Sequence, residues 1–149
     1  SMLTSRLVSF EGLTVLDGFA GTGALGLEAL SRGAARAVFV EKDAAAARVL
    51  GANIRTLAAE AEVLAMPLTT LPRARRACDL VLLDPPYGEG LAEPALAHLL
   101  AQGWIAPLAL VSVETAAKEA LTTDWEVLAA RVHGKACIHL LRAPGAGAF

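Results

Sequence analysis

With 149 residues, 55% of them hydrophobic, the chain can bury about two thirds of its unfolded surface around one core, so a single domain over 1–149 is the simplest expectation. No apolar stretch nears the roughly 20 residues of a membrane-spanning helix. Cys78 and Cys137 lie far apart, with no CxxC pattern and no clustered histidines, which argues against a disulfide scaffold or a metal site. A net charge of −2 also lacks the basic footprint that phosphate contacts normally leave on a nucleic-acid-binding protein.

Ser1-Met2 reads as an expression scar ahead of an internal start, with no signal-peptide pattern behind it. Free core thiols in a reducing cytoplasm are expected. Apolar runs then alternate with helical periodicity: strand over Thr14–Asp17, helix over Ala24–Arg32, strand over Ala37–Glu41, helix over Ala44–Leu57. In the second helix Ala47, Leu50, Ile54 and Leu57 share one face, while Arg48 and Arg55 take another. A short strand near Ala61–Leu64 and an arginine-rich loop lead to the strand Leu80–Asp84. A helix starting near Pro94 and ending before Gly103 follows, then the run Ala109–Glu114. Trp125–Arg131 and Lys135–Leu141 read as two strands joined around His133-Gly134, an antiparallel finish, and Ala143–Phe149 as a frayed end. The pattern predicts an α/β, Rossmann-like fold: a mainly parallel sheet with an antiparallel C-terminal strand and helices on both faces.

In such a sheet ligands bind beyond the carboxyl ends of the strands, where Asp17, Glu41 and Asp84 all fall. Each acid alone could simply cap a strand. Three of them at three strand ends favour one crevice. The segment Asp17-Gly18-Phe19-Ala20-Gly21-Thr22-Gly23-Ala24-Leu25-Gly26 contains G-x-G-x-x-G spacing, which by itself could mean a dinucleotide fold. Here Asp17, Phe19 and Ala20 widen the loop, and a carboxylate at its base would repel a pyrophosphate. It would instead attract an ammonium, while the helix N-terminus could receive a carboxylate. An amino-acid-bearing cofactor suits this better, and S-adenosylmethionine has those charges plus a sulfonium. Glu41 is placed to accept hydrogen bonds from both ribose hydroxyls.

The third motif, Asp84-Pro85-Pro86-Tyr87, ends a buried strand in a rigid turn, because each proline fixes its own φ and biases the residue before it toward extended geometry. The Asp84 carboxylate and the Pro85 carbonyl can accept both hydrogens of an exocyclic base amine, and Tyr87 can stack on the base. The plain alternative is a strand terminator.

On these three motifs the chain resembles the class I S-adenosylmethionine-dependent methyltransferases, with Asp84-Pro85-Pro86-Tyr87 similar to the amino-methylating branch. The run Phe19–Ala34, Gly103-Trp104-Ile105, the strand ending in Glu114 and the final strand Gly134–Arg142 resemble the RsmD family of 16S rRNA guanine-N2 methyltransferases. That resemblance implies S-adenosyl-L-methionine as cofactor, held by Asp17, Phe19, Ala20, Gly21, Thr22, Gly23, Glu41, Lys42, Met66 and Asp84. It implies Asp84, Pro85, Pro86 and Tyr87 as the catalytic set, 16S rRNA within the assembled small ribosomal subunit as partner, a cytoplasmic location, and neither metal nor membrane. Two departures stand out. The family's additional amino-terminal hairpin and helix have no match before Leu3, so a shortened chain is expected. Met66 takes the place of the Asp or Asn commonly offered to adenine.

Competing readings are an adenine-N6 DNA methyltransferase, against which no separate target-recognition domain is found, and a nicotinamide-binding oxidoreductase, which leaves the tetrapeptide without a task. A binding module without turnover is the third. Arg73, Arg75 and Arg76, and Arg131, Lys135 and Arg142, can serve either as ordinary surface charge or as nucleic-acid contacts. His98, His133 and His139 are expected to have surface or packing roles, and Trp104 and Trp125 to be core.

Overall fold

The computed structural model describes residues 9–57 and 60–146. The strands are β1 (Thr14–Asp17), β2 (Arg36–Val40), β3 (Glu60–Leu64), β4 (Cys78–Leu83), β5 (Ile105–Ala116), β6 (Glu126–His133) and β7 (Ala136–Arg142). The helices are α1 (Ala24–Ser31), α2 (Ala44–Ile54) and α3 (Ala92–Ala101), with a short 3-10 turn at Leu68–Thr70. The strands form one sheet in the order β3-β2-β1-β4-β5-β7-β6. β1 to β5 run parallel, and β7 pairs antiparallel with both β5 and β6. The predicted class of fold is therefore present, with two antiparallel pairings at its C-terminal end.

Strand periodicity of two assigns alternate side chains to opposite layers. Val15, Phe39, Leu80 and Leu82 pack with Ala29 of α1 and with Leu50 and Ile54 of α2. Leu16, Val40, Val81 and Leu83 pack on the other face with Ala95, Leu96 and Leu99 of α3 and with Trp104. Burial on both faces explains why the central strands read as continuous apolar runs.

Leu57 departs from the expected helix face. α2 stops at Ile54, and Leu57 lies beyond its end, 41% exposed, whereas Ala47, Leu50 and Ile54 are buried as anticipated. β5 is longer than the apolar run suggested, because it begins at Ile105 and shifts register against β4 between Cys78 and Leu80. Leu108 in that irregular stretch has φ 62°, and its backbone is clamped on both sides. Its N–H donates to the Pro144 carbonyl at 3.1 Å and its carbonyl accepts Arg142 Nη1 at 3.0 Å. Ala143 likewise donates to Ala109, so the expected fraying does not begin at Ala143; residues 147–149 of that expectation lie outside the described residues. At the other side of the hairpin, β6 carries a register irregularity between Val127 and Ala129.

Both cysteines are buried free thiols, and burial pushes Cys78 up to about 12. Trp104 is buried with its indole N–H donated to the Pro72 carbonyl, and Trp125 is half-buried against the same layer. His98 meets the Leu71 carbonyl, and His139 meets the Thr115 hydroxyl, both packing contacts.

Candidate functional site

The order of the strands reverses at β1: β2 and β3 lie on one side of it and β4 on the other. Such a switch point leaves a crevice between the loops that leave the two central strands, here the loop after Asp17 and the turn at Asp84. Asp17 is level with Phe39 of β2 and Leu82 of β4, so Glu41 and Asp84 each stand two residues further out on the flanking strands. A cleft of about 600 Å³ opens there, within the range of small-molecule sites. Phe19, Gly21, Glu41, Lys42 and Met66 line one part of it, and Asp84, Pro85, Pro86 and Tyr87 another. The two halves read separately from the sequence thus share one cavity.

Glu41 organises the first half. Its Oε1 accepts the Gly21 amide at 2.8 Å and its Oε2 the Asp43 amide at 2.8 Å, tying the glycine loop to the start of α2, which Asp43 caps through Ala45. The glycine spacing has two structural causes beneath the cleft. A side chain at Gly23, where φ is 80°, would meet Leu50, and one at Gly26 would run into the buried Phe39 ring. Those glycines let α1 approach the sheet, which leaves Gly21 as the cleft-lining member of the three.

Asp17 is not on the cleft wall. It is 2% exposed beneath the loop, where its Oδ2 accepts the Gly26 amide at 3.0 Å and so occupies a donor of the first turn of α1. Burial lifts it to about 7; the negative charges of Asp84 and Glu41 add to the rise and the Gly26 amide opposes it. Ala20, Thr22 and Gly23 are also absent from the lining: Ala20 is buried, with its N–H on the Val40 carbonyl. Asp17, Ala20 and Gly23 are buried behind the loop, and Thr22 is exposed outside the cleft lining.

The Asp84 turn is held from β5. The Tyr87 hydroxyl donates to Glu114 Oε2 at 2.5 Å, and Glu119 Oε1 accepts the amides of Gly88 at 3.0 Å and Ala116 at 3.1 Å. Burial and then the adjacent Glu114 carboxyl raise Asp84 to about 6, and the bond to Glu114 pushes the Tyr87 phenol up to about 12. Neither the Glu114 nor the Glu119 contact was visible in the motif, because each acid lies 27 to 31 residues further along and arrives only through the pairing of β4 with β5. Pro67, Leu68 and Leu91 add further apolar lining to the cleft.

The arginines make no part of this lining. Arg73, Arg75 and Arg76 border a second hollow with Glu60 and Glu62, which runs along β3 as far as Leu64 and Met66. Arg73 and Arg142 each donate to a backbone carbonyl, of Ala101 and Leu108.

Residues 1–142 match the family model described as Conserved hypothetical protein 95. The chain belongs to the RsmD family. It is similar to Ribosomal RNA small subunit methyltransferase D of Haemophilus influenzae, with 39% identity over 80% of this chain and 66% of that protein. The protein of the same name from Escherichia coli K12 is 37% identical over 89% of this chain and 69% of its own length. The chain thus spans about two thirds of the length of these RsmD relatives. The crystal structure of Haemophilus influenzae HI0767 superposes with a TM-score of 0.86 at 33% identity, covering 96% of this chain and 94% of that one. The class I methyltransferase fold expected of an RsmD-family chain is the fold observed.

Proposed function

We propose that the chain is an S-adenosylmethionine-dependent methyltransferase that modifies the exocyclic N2 amine of a guanine in 16S rRNA. The observation that carries this reading is the single cleft joining Glu41 and the glycine loop to the Asp84 turn across the switch point. The names of the RsmD relatives support rRNA of the small subunit as substrate.

The residues present fit the cofactor. Glu41 keeps lone pairs for ribose hydroxyls while it binds Gly21 and Asp43, and Phe19, Met66, Pro67 and Leu68 offer apolar surface to an adenine. Gly21, Lys42 and Thr69 border the same space. The buried Asp17, when ionised, contributes negative potential from below, which favours an ammonium or a sulfonium overhead. When bound, S-adenosylmethionine supplies a methyl group on a positively charged sulfur.

The chain's own contribution is placement of the acceptor nitrogen. Asp84 and the Pro85 carbonyl accept the two amine hydrogens and turn the nitrogen lone pair toward the donor, a positioning effect that needs no covalent enzyme intermediate. As the N–C bond forms, the amine becomes cationic, and its surplus proton passes to Asp84 or to water. Tyr87, 45% exposed and fixed through Glu114, offers its face to a base flipped out of its stack. Tyr87→Ala is expected to weaken RNA binding about 10- to 100-fold, since one aromatic–base stack is worth roughly 1–3 kcal/mol, with cofactor affinity nearly unchanged. Titrating each ligand separately checks this; equal losses would assign Tyr87 to the cofactor side instead.

With a net charge of −2, and with Arg73 and Arg142 engaged by backbone carbonyls, an assembled small subunit suits this chain better than naked RNA. Such a substrate places the reaction in the cytoplasm. The deciding experiment supplies radiolabelled S-adenosylmethionine with either naked 16S rRNA or assembled subunits and maps the labelled base by mass. Label on guanine N2 is the expected result, and label on adenine would reject it.

A further inference from the structure

Glu114 ends the inner part of β5 directly beside Asp84. Leu83 and Val113 are register partners on β4 and β5, so the next residues, Asp84 and Glu114, stand level at the carboxyl ends of neighbouring parallel strands. Both line the cleft, and Glu114 also holds the Tyr87 ring by its hydroxyl. Two carboxyls therefore converge where a base edge would lie against Tyr87. Ionised, they offer acceptors only.

Purines with an exocyclic amine present one of two patterns to such a pair. Guanine shows two adjacent donors, the ring N1–H and the N2 amine. Adenine and 2-aminopurine show an amine next to a bare ring N1, whose lone pair would face a carboxylate. A buried acceptor left opposite another acceptor loses its hydrogen bond and stays desolvated, which is how a polar pocket rejects a near-isostere.

Building on the guanine-N2 reading above, we infer that Glu114 is a base-reading residue: it accepts the ring N1–H of the flipped guanine while Asp84 accepts the N2 amine. Tyr87 then has two tasks joined in one bond, because the acid that reads the base edge also sets the plane of the ring stacked on it. The preference for guanine resides in a residue 27 positions beyond Tyr87, the last of the tetrapeptide, outside the motif that performs the chemistry.

The test uses the full chain and small subunits reconstituted with 16S rRNA carrying either guanine or 2-aminopurine at the nucleotide found by the mapping experiment. 2-Aminopurine keeps the N2 amine and lacks only the N1–H and the O6 oxygen. Competition binding and methyl incorporation are both read. The unmodified chain is expected to favour guanine about 10- to 100-fold, the range for one hydrogen bond to a charged group. Glu114→Gln, whose amide can still accept the Tyr87 hydroxyl and can donate to a bare N1, should nearly erase that preference. Tyr87→Phe should weaken binding of both RNAs while preserving it. Equal binding of the two RNAs by the unmodified chain, or an undiminished preference in a Glu114→Gln variant that still binds S-adenosylmethionine, would overturn the inference. Failure of the underlying reading looks different: the mapped label would lie on a base other than guanine.

Discussion

Asp84→Ala is expected to lower methyl transfer about a hundred- to ten-thousand-fold, the usual contribution of a positioned proton acceptor, with cofactor affinity changed far less. The asymmetry follows from the cleft. Asp84 stands on the β4 side with Pro86 and Tyr87, whereas Glu41, Met66 and the glycine loop form the other side. Burial and Glu114 hold Asp84 near 6, above the ordinary carboxylate value of 3.8. Only the ionised form accepts both from the amine and from its departing proton, so activity should rise with pH through about 6 and level off above it. Single-turnover rates between pH 5 and 8, flanking the roughly unit-wide spread of such values, read both effects. A variant retaining a tenth of the rate, or a wild-type profile flat across that span, would remove Asp84 from the reaction.

The second large effect concerns stability. Asp17 titrates near 7 in the fold against 3.8 for the free side chain, so between those values the folded state binds a proton that the unfolded state does not. The contribution of this residue to stability is therefore greatest at low pH and declines as pH rises through about 7. Asp17→Asn keeps an oxygen for the Gly26 amide and removes the buried charge. It is expected to raise unfolding free energy at pH 8 by something on the order of a few kcal/mol, with a distinctly smaller gain at pH 5, while weakening binding of a cationic cofactor. Denaturant titrations at the two pH values, paired with cofactor titrations, measure the exchange. An unchanged pH dependence of stability would show that Asp17 is ionised without penalty. A carboxylate that weakens the empty fold and strengthens the loaded one is a trade between stability and activity.

Much of this site was readable from the chain because local chemistry encoded it. Apolar runs ending in Asp17, Glu41 and Asp84 placed three acids at neighbouring strand ends, and the paired prolines fixed the turn without help from distant residues. Less legible were features set by tertiary register. Asp17 was expected at the base of the widened loop, but its bond to the Gly26 amide and its near-complete burial come from the way that loop folds over it. Glu114 looked like the end of an apolar strand and acquired its place beside Asp84 only through the β4–β5 alignment. Leu57 fitted the helical period but fell past the last turn, since periodicity carries no stop signal of its own. Ala143 and Pro144 had the composition of a loose tail, and their backbones nevertheless close the irregular start of β5.

The irregularity in β6 bears on how the protein behaves among its own copies. β6 is an outermost strand with Val127 and Val132 facing solvent, the kind of border on which identical chains could stack into continuous ribbons. The dislocation between Val127 and Ala129 interrupts that template after its first residues, and Arg131 adds a charge to the remainder. Self-assembly through this border is thereby discouraged without any change to the half of the sheet that forms the cleft.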